Sequence, residues 1–196
     1  METLTYSETT REFLELLGTP ADFRTPALDL LEEGKSRYVA DLKINFKNSL
    51  ESMHLSNKEI ALLGVALAVN STHGILRTFF SERATSEGAT AEEIAEAVAC
   101  ASLLSANNVL YRFRHFMEKE KYDAIPARIK MNIMARPVTS KEFFELMSLA
   151  VSAVNGCEKC VRSHEASLIE LGSTEERVFE AVRLASVIVS LTKIVY

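Results

Sequence analysis

The sequence predicts an all-α protein, and three observations carry that prediction. Only seven glycines and four prolines interrupt its 196 residues. Apolar residues recur mostly at the three-and-four spacing of a helix face. Strand signals are weak, because the β-branched stretch Val187-Ile188-Val189 and then Ile194-Val195 lie among Ala, Ser and Leu and read better as buried helix. With 47% hydrophobic and 25% charged residues the composition is globular, and the length suits one domain, 1–196, with a real core.

Taken in order, the predicted helices run through residues 7–17, 25–33, 36–51, 56–70, 73–86, 90–106, 109–120, 139–154, 157–171 and 173–194. Ser56-Asn57-Lys58-Glu59 reads as the start of the fourth, a hydroxyl cap with a carboxylate three residues on. Thr139-Ser140-Lys141-Glu142 opens the eighth in the same manner. Gly88 and Gly172 each follow a helix as its stop signal. Pro126 and Pro137 bracket a link between two halves.

Those halves resemble each other. Gly88-Ala89-Thr90-Ala91-Glu92-Glu93-Ile94-Ala95-Glu96-Ala97-Val98 parallels Gly172-Ser173-Thr174-Glu175-Glu176-Arg177-Val178-Phe179-Glu180-Ala181-Val182, 84 residues later (88 to 172). Upstream, Lys58-Glu59-Ile60 parallels Lys141-Glu142-Phe143 with a small shift. A duplicated helical unit produces this pattern, with copy one at about 56–120 and copy two at about 139–196, each burying its apolar face against the other.

The stretch Asn155-Gly156-Cys157-Glu158-Lys159-Cys160-Val161-Arg162-Ser163-His164 carries the chemistry. On a helix starting near Cys157, residues three and four apart share a face, so Cys160 neighbours both Cys157 and His164. A free cysteine has a pKa of about 8.5, so a reactive one needs help to ionise. A helix N-terminus supplies unpaired N–H groups and the positive end of the macrodipole. Asn155 reads as the cap of that helix, with Lys159 and Arg162 adding positive charge. His164 exchanges protons near neutral pH, and a second thiol can resolve a sulfenic acid into a disulfide. At the 84-residue offset, Cys157, Cys160 and His164 fall opposite His73, Leu76 and Phe80 (157 to 73), so only copy two carries the dithiol.

Two other readings stand beside redox. Cys157, Cys160 and His164 are possible zinc ligands of a helical interaction module, although a fourth ligand is missing and Cys100, His54, His73 and His115 are scattered. The pair is also compatible with inert core cysteines. Glu145, in Phe143-Phe144-Glu145-Leu146-Met147, reads either as part of a solvated face with Glu142 or as a buried carboxylate orienting His164.

Charge and hydropathy narrow the classes of partner. A net charge of −5 leaves no basic footprint for nucleic acid, and Arg112, Arg114, Lys119 and Lys121 read as solvated surface. No uncharged apolar run reaches the ~18 residues of a membrane span, Ile60 to Val69 being the longest strong one. Met1-Glu2-Thr3-Leu4-Thr5 lacks the pattern of a secretory leader, so a cytoplasmic location is expected.

Phe144-Glu145-Leu146, Ala150-Val151-Ser152 and Asn155-Gly156-Cys157 with Cys160 and His164 together resemble the AhpD-like alkylhydroperoxidases of the carboxymuconolactone decarboxylase superfamily. Asp41-Leu42-Lys43-Ile44-Asn45, Asn107-Asn108-Val109-Leu110-Tyr111-Arg112 and Arg128-Ile129-Lys130-Met131-Asn132-Ile133 extend the likeness from about residue 36 to the C-terminus. The resemblance implies a duplicated helical fold, a homotrimer or a multiple of it, and a thiol-dependent peroxidase. Its substrates would be alkyl hydroperoxides or an oxidised peroxiredoxin. It implies no bound cofactor, with a dihydrolipoamide-type dithiol on a lipoyl-bearing protein as external reductant. Carried over by position, Cys157 and Cys160 are the redox pair and Glu145 and His164 belong to the proton relay. Cys160 is the thiol expected to be activated first, with Cys157 meeting the incoming dithiol. The well-studied form of this branch has a histidine immediately before the second cysteine, where this chain has Lys159.

Overall fold

A computed structural model describes residues 5–196; Met1 to Leu4, on which the expectation of no leader partly rests, lie outside them. The described residues form eleven helices and no strand: α1 (Glu8–Leu16), α2 (Pro26–Glu33), α3 (Tyr38–Ser49), α4 (Asn57–Asn70), α5 (Gly74–Ser86), α6 (Ala91–Met117), α7 (Glu120–Ala124), α8 (Asn132–Ala135), α9 (Lys141–Val154), α10 (Glu158–Glu170) and α11 (Glu175–Leu191). The helices α4, α5 and α6 begin at residues 57, 74 and 91, and α9, α10 and α11 begin 84 residues further on, at 141, 158 and 175.

Two of these helices form the centre of the fold. Every residue of α4 from Ile60 to Ala68 is buried, as is every residue of α9 from Phe143 to Ser152. A helix buried around its circumference shows little amphipathic patterning, and α4 accordingly reads as a continuous apolar run. The helices α5 and α6 flank α4, α10 and α11 flank α9, and α4 packs directly on α9. Gly64 of α4 lets α5 approach so closely that the ring of Phe80 fills the place of a side chain. Capping agrees with the sequence at the N-terminus of α4, whereas at α9 the cap is Ser140 and not Thr139, with no capping box. Ser56 and Glu59 close a complete capping box, and the Ser140 hydroxyl accepts from the Phe143 N–H.

Three expectations are corrected. The helices expected at 90–106 and 109–120 are one continuous α6, running through Asn107 and Asn108, and a separate short α7 follows. The link between Pro126 and Pro137 contains the four-residue α8. Asn155 does not cap the dithiol helix: it is the C-terminal cap of α9, and Cys157 stands at the N-cap of α10 without a side-chain capping bond. By length and composition α6 is apolar enough to cross a membrane, but here it packs against α4, α9 and α10.

Arg177 of α11 ties the two copies together at their N-terminal ends. Its guanidinium pairs with Glu59 at 2.5 Å and with Glu142 at 2.9 Å, and donates to the His54 carbonyl at 2.6 Å. Burial pushes the Glu59 carboxyl up, but hydrogen bonds from Arg177 and from the Ser56 backbone outweigh it and hold Glu59 below the ordinary carboxylate range. A depressed carboxyl stabilises the fold above its unfolded pKa and loses that contribution as pH falls through the folded one. Arg177→Met should therefore cost about 2 kcal/mol at neutral pH. It should also flatten the decline of the melting temperature below about pH 4.5, where the wild type loses this bridge. Parallel melting curves for the two proteins across that range would contradict the assignment.

Candidate active site

The dithiol is positioned by a left-handed turn between two helices. Gly156 has φ +67°, a conformation that costs glycine little, and reverses the chain after α9. The Cys157 N–H then donates back to the Ser152 carbonyl at 3.1 Å. Cys157 becomes the N-cap and Cys160 falls in the first turn of α10, with Cα atoms 5.3 Å apart and the sulfurs joined in a disulfide. The polar end of the helix thus lies under both sulfurs, where a thiolate gains from the unpaired N–H groups.

Glu145 lies in the buried stretch of α9, where an unpaired carboxylate would be costly. Its partner is His164, one turn beyond Cys160 on α10: Nδ1 donates to Glu145 Oε2 at 2.6 Å. The two residues are only 8% and 9% exposed, which removes the solvated-face reading of Glu145. A carboxylate on Nδ1 fixes the imidazole tautomer, leaving Nε2 for proton exchange.

Both His164 and Cys160 open into a cavity of about 300 Å³, lined also by Leu104, Asn107, Asn108, Tyr111, Met131, Met134, Lys159 and Ser163. Cys157 does not line it and is 0% exposed, whereas Cys160 is 7% exposed. The cavity wall comes from α6 of copy one, the α8 region and α10, so the site lies where the copies meet. Lys159 at its rim is 3.6 Å from Asp123, a half-exposed pair that contributes little to stability. Arg162 pairs with Glu158 instead of facing the sulfurs.

An asparagine seam, not anticipated from the sequence, braces the turn. Asn70 and Asn155 exchange reciprocal amide bonds of 3.0 and 3.1 Å, Asn155 also donates to Asn108 at 2.8 Å, and Asn108 donates to Ser152 at 2.9 Å. Arg112, expected on the solvated surface, donates to the Asn155 carbonyl at the end of α9. The only available signal was an Asn-Asn pair inside an otherwise apolar helical run.

Copy one shows the same framework without the chemistry. At the 84-residue offset Ala61 stands for Glu145, His73 for Cys157, Leu76 for Cys160 and Phe80 for His164 (61 to 145, 80 to 164). His73 Nδ1 accepts from the Leu76 N–H at 3.2 Å, a capping role that Cys157 does not take. The third cysteine, Cys100, is buried 3.6 Å from Ser148, and burial pushes its thiol up to about 12. Among the described residues no group of three or more His, Cys, Asp and Glu side chains is arranged to hold a metal ion, so the zinc reading finds no ligand set here.

Comparison with known proteins agrees with this picture. Residues 120–195 match the carboxymuconolactone decarboxylase family. A protein of Anaeromyxobacter dehalogenans strain 2CP-1 named alkyl hydroperoxide reductase AhpD is 40% identical over 164 residues, covering 83% of this chain and 87% of the relative. Proteins of the same name from Maricaulis maris and Coxiella burnetii are 36% and 35% identical, covering 83% and 80% of this chain and 93% and 90% of theirs.

Proposed function

The chain belongs to the carboxymuconolactone decarboxylase family, among the alkyl hydroperoxide reductase AhpD proteins, and from that premise we propose that it is a dithiol peroxidase. The observation that carries the reading is one cavity reached by Cys160 and by a histidine whose other nitrogen is held by a buried carboxylate.

In the reduced protein the Cys160 thiol gives its proton to His164 and attacks the distal oxygen of an alkyl hydroperoxide. An S–O bond forms, the O–O bond breaks, and the alkoxide leaves as alcohol with the proton from His164. Cys157 then attacks the sulfenic sulfur, releasing water and forming the Cys157–Cys160 disulfide. A lipoyl dithiol restores the pair by exchange through a mixed disulfide. Because the cavity exposes Cys160 and buries Cys157, this dithiol meets Cys160, not Cys157 as expected from the resemblance. The same exchange would serve an oxidised peroxiredoxin partner, and a homotrimer is the assembly proposed from the family. Lys159 at the rim holds charge near the sulfur but leaves proton transfer to His164.

The test is hydroperoxide consumption by the purified protein with and without dihydrolipoamide. Sustained turnover is expected only with the dithiol present, and a single equivalent of peroxide consumed per chain without it. Equal steady rates in the two conditions would overturn the reading.

A further inference from the structure

One residue lining the cavity carries an enclosed polar atom that has no partner. Asn107 is 4% exposed, and its Oδ1 has no hydrogen bond. The amide orientation follows from its other contact, since Nδ2 lies 3.2 Å from Met131 Sδ, an acceptor, which leaves the carbonyl oxygen unpaired. The residue next to it offers a contrast: Asn108 uses both ends of its amide, toward Ser152 and from Asn155. The repeat provides a second contrast, because 84 residues on (107 to 191) the equivalent of Asn107 is the fully buried Leu191. Where this helix position faces only core it is apolar; where it faces the dithiol cavity it is an amide. A buried acceptor without a donor is costly and calls for a ligand that brings one.

We propose that Asn107 Oδ1 accepts the O–H of the bound hydroperoxide in the cavity shared with Cys160 and His164, an assignment that rests on the peroxidase reading above. The apolar neighbours Leu104, Met131 and Met134 then take the alkyl group, leaving the amide as the polar anchor. In the step itself the sulfur–oxygen bond forms on the oxygen that carries this hydrogen, and the O–O bond breaks toward the alkyl side. The sulfur is oxidised to sulfenic acid and the peroxide reduced to alcohol, with the proton for the alkoxide from His164. The hydrogen held by Asn107 stays on the transferred oxygen and becomes the sulfenic O–H. The acceptor therefore serves reactant and product alike.

The experiment compares reduced wild type with Asn107→Leu, which copies the Leu191 position, and with Asn107→Ala as a second variant that removes the amide without adding bulk. Three rates are read by quenched flow with alkylation: oxidation by tert-butyl hydroperoxide, reaction with methyl methanethiolsulfonate, which brings no O–H, and reduction of the disulfide by dihydrolipoamide. Both variants should lose about tenfold in the peroxide rate while the other two rates stay within about twofold. An unchanged peroxide rate overturns the assignment. So does an equal fall with the thiosulfonate, which would place the effect on the sulfur, or a fall confined to the dithiol step. A reduced wild type that hydroperoxide fails to oxidise would sink the peroxidase reading as well, whereas a reactive wild type with unaffected variants sinks only the role of Asn107.

Discussion

Replacing Cys160 with serine should lower dithiol-dependent hydroperoxide turnover by at least ~10³-fold, because the attacking sulfur is removed and a hydroxyl does not ionise near neutral pH. The comparison that gives this number its meaning is Cys157→Ser. That variant keeps the sulfur facing the cavity and, without the dithiol, should still consume one equivalent of peroxide before stalling as a sulfenic acid, which a dimedone adduct on Cys160 would report. Both variants lack the disulfide, so their stability is to be judged against reduced wild type. If Cys160→Ser kept turnover while Cys157→Ser lost it, the burial of Cys157 and the exposure of Cys160 to the cavity would have been read in the wrong order.

A large effect on stability is expected in the first copy, at Gly64. A Cβ there would stand 2.1 Å from the Phe80 ring. The ring cannot swing aside easily, since Phe79 and Phe46 pack on it with centroids 5.0 and 6.2 Å away. Alanine would gain about 1 kcal/mol over glycine in helix propensity. Overpacking of a tight core costs about 1–3 kcal/mol and more when backbone must move, so the clash wins. Gly64→Ala should destabilise by about 2 kcal/mol, a fall of about 4–8 °C in melting temperature for a chain of this size. Adding Phe80→Leu should recover part of that loss although it is destabilising alone, and purely additive losses in the double variant would refute the proposed contact.

Much of this was legible from local sequence. The starts of α4 and α9 carry hydroxyl caps, and the 84-residue echo (57 to 141) follows from residues that repeat in kind. The dithiol and its histidine sit within eight positions of one another, so helical spacing alone brings them together. What escaped depends on contacts between distant residues. Asn107 and Asn108 suggested a break in α6 because asparagine is a poor helix former, and their partners Met131, Ser152 and Asn155 lie far along the chain. Glu145 is legible only in part: by residue type it reads either as surface or as a buried partner of His164, and contacts between α9 and α10 decide between the two. Arg112 likewise reads as a solvated cation until α9 ends beside it.

Cys100 has a practical consequence. Its thiol, fully enclosed and pushed up to about 12, stays protonated and out of reach in the native fold. Thiol counting on the folded, oxidised protein therefore registers none of the three cysteines, since Cys157 and Cys160 are joined and Cys100 is enclosed, and one equivalent appears on unfolding. The chain thus carries an internal gauge: in the oxidised protein the single thiol that becomes titratable reports the fraction of molecules that have lost their structure.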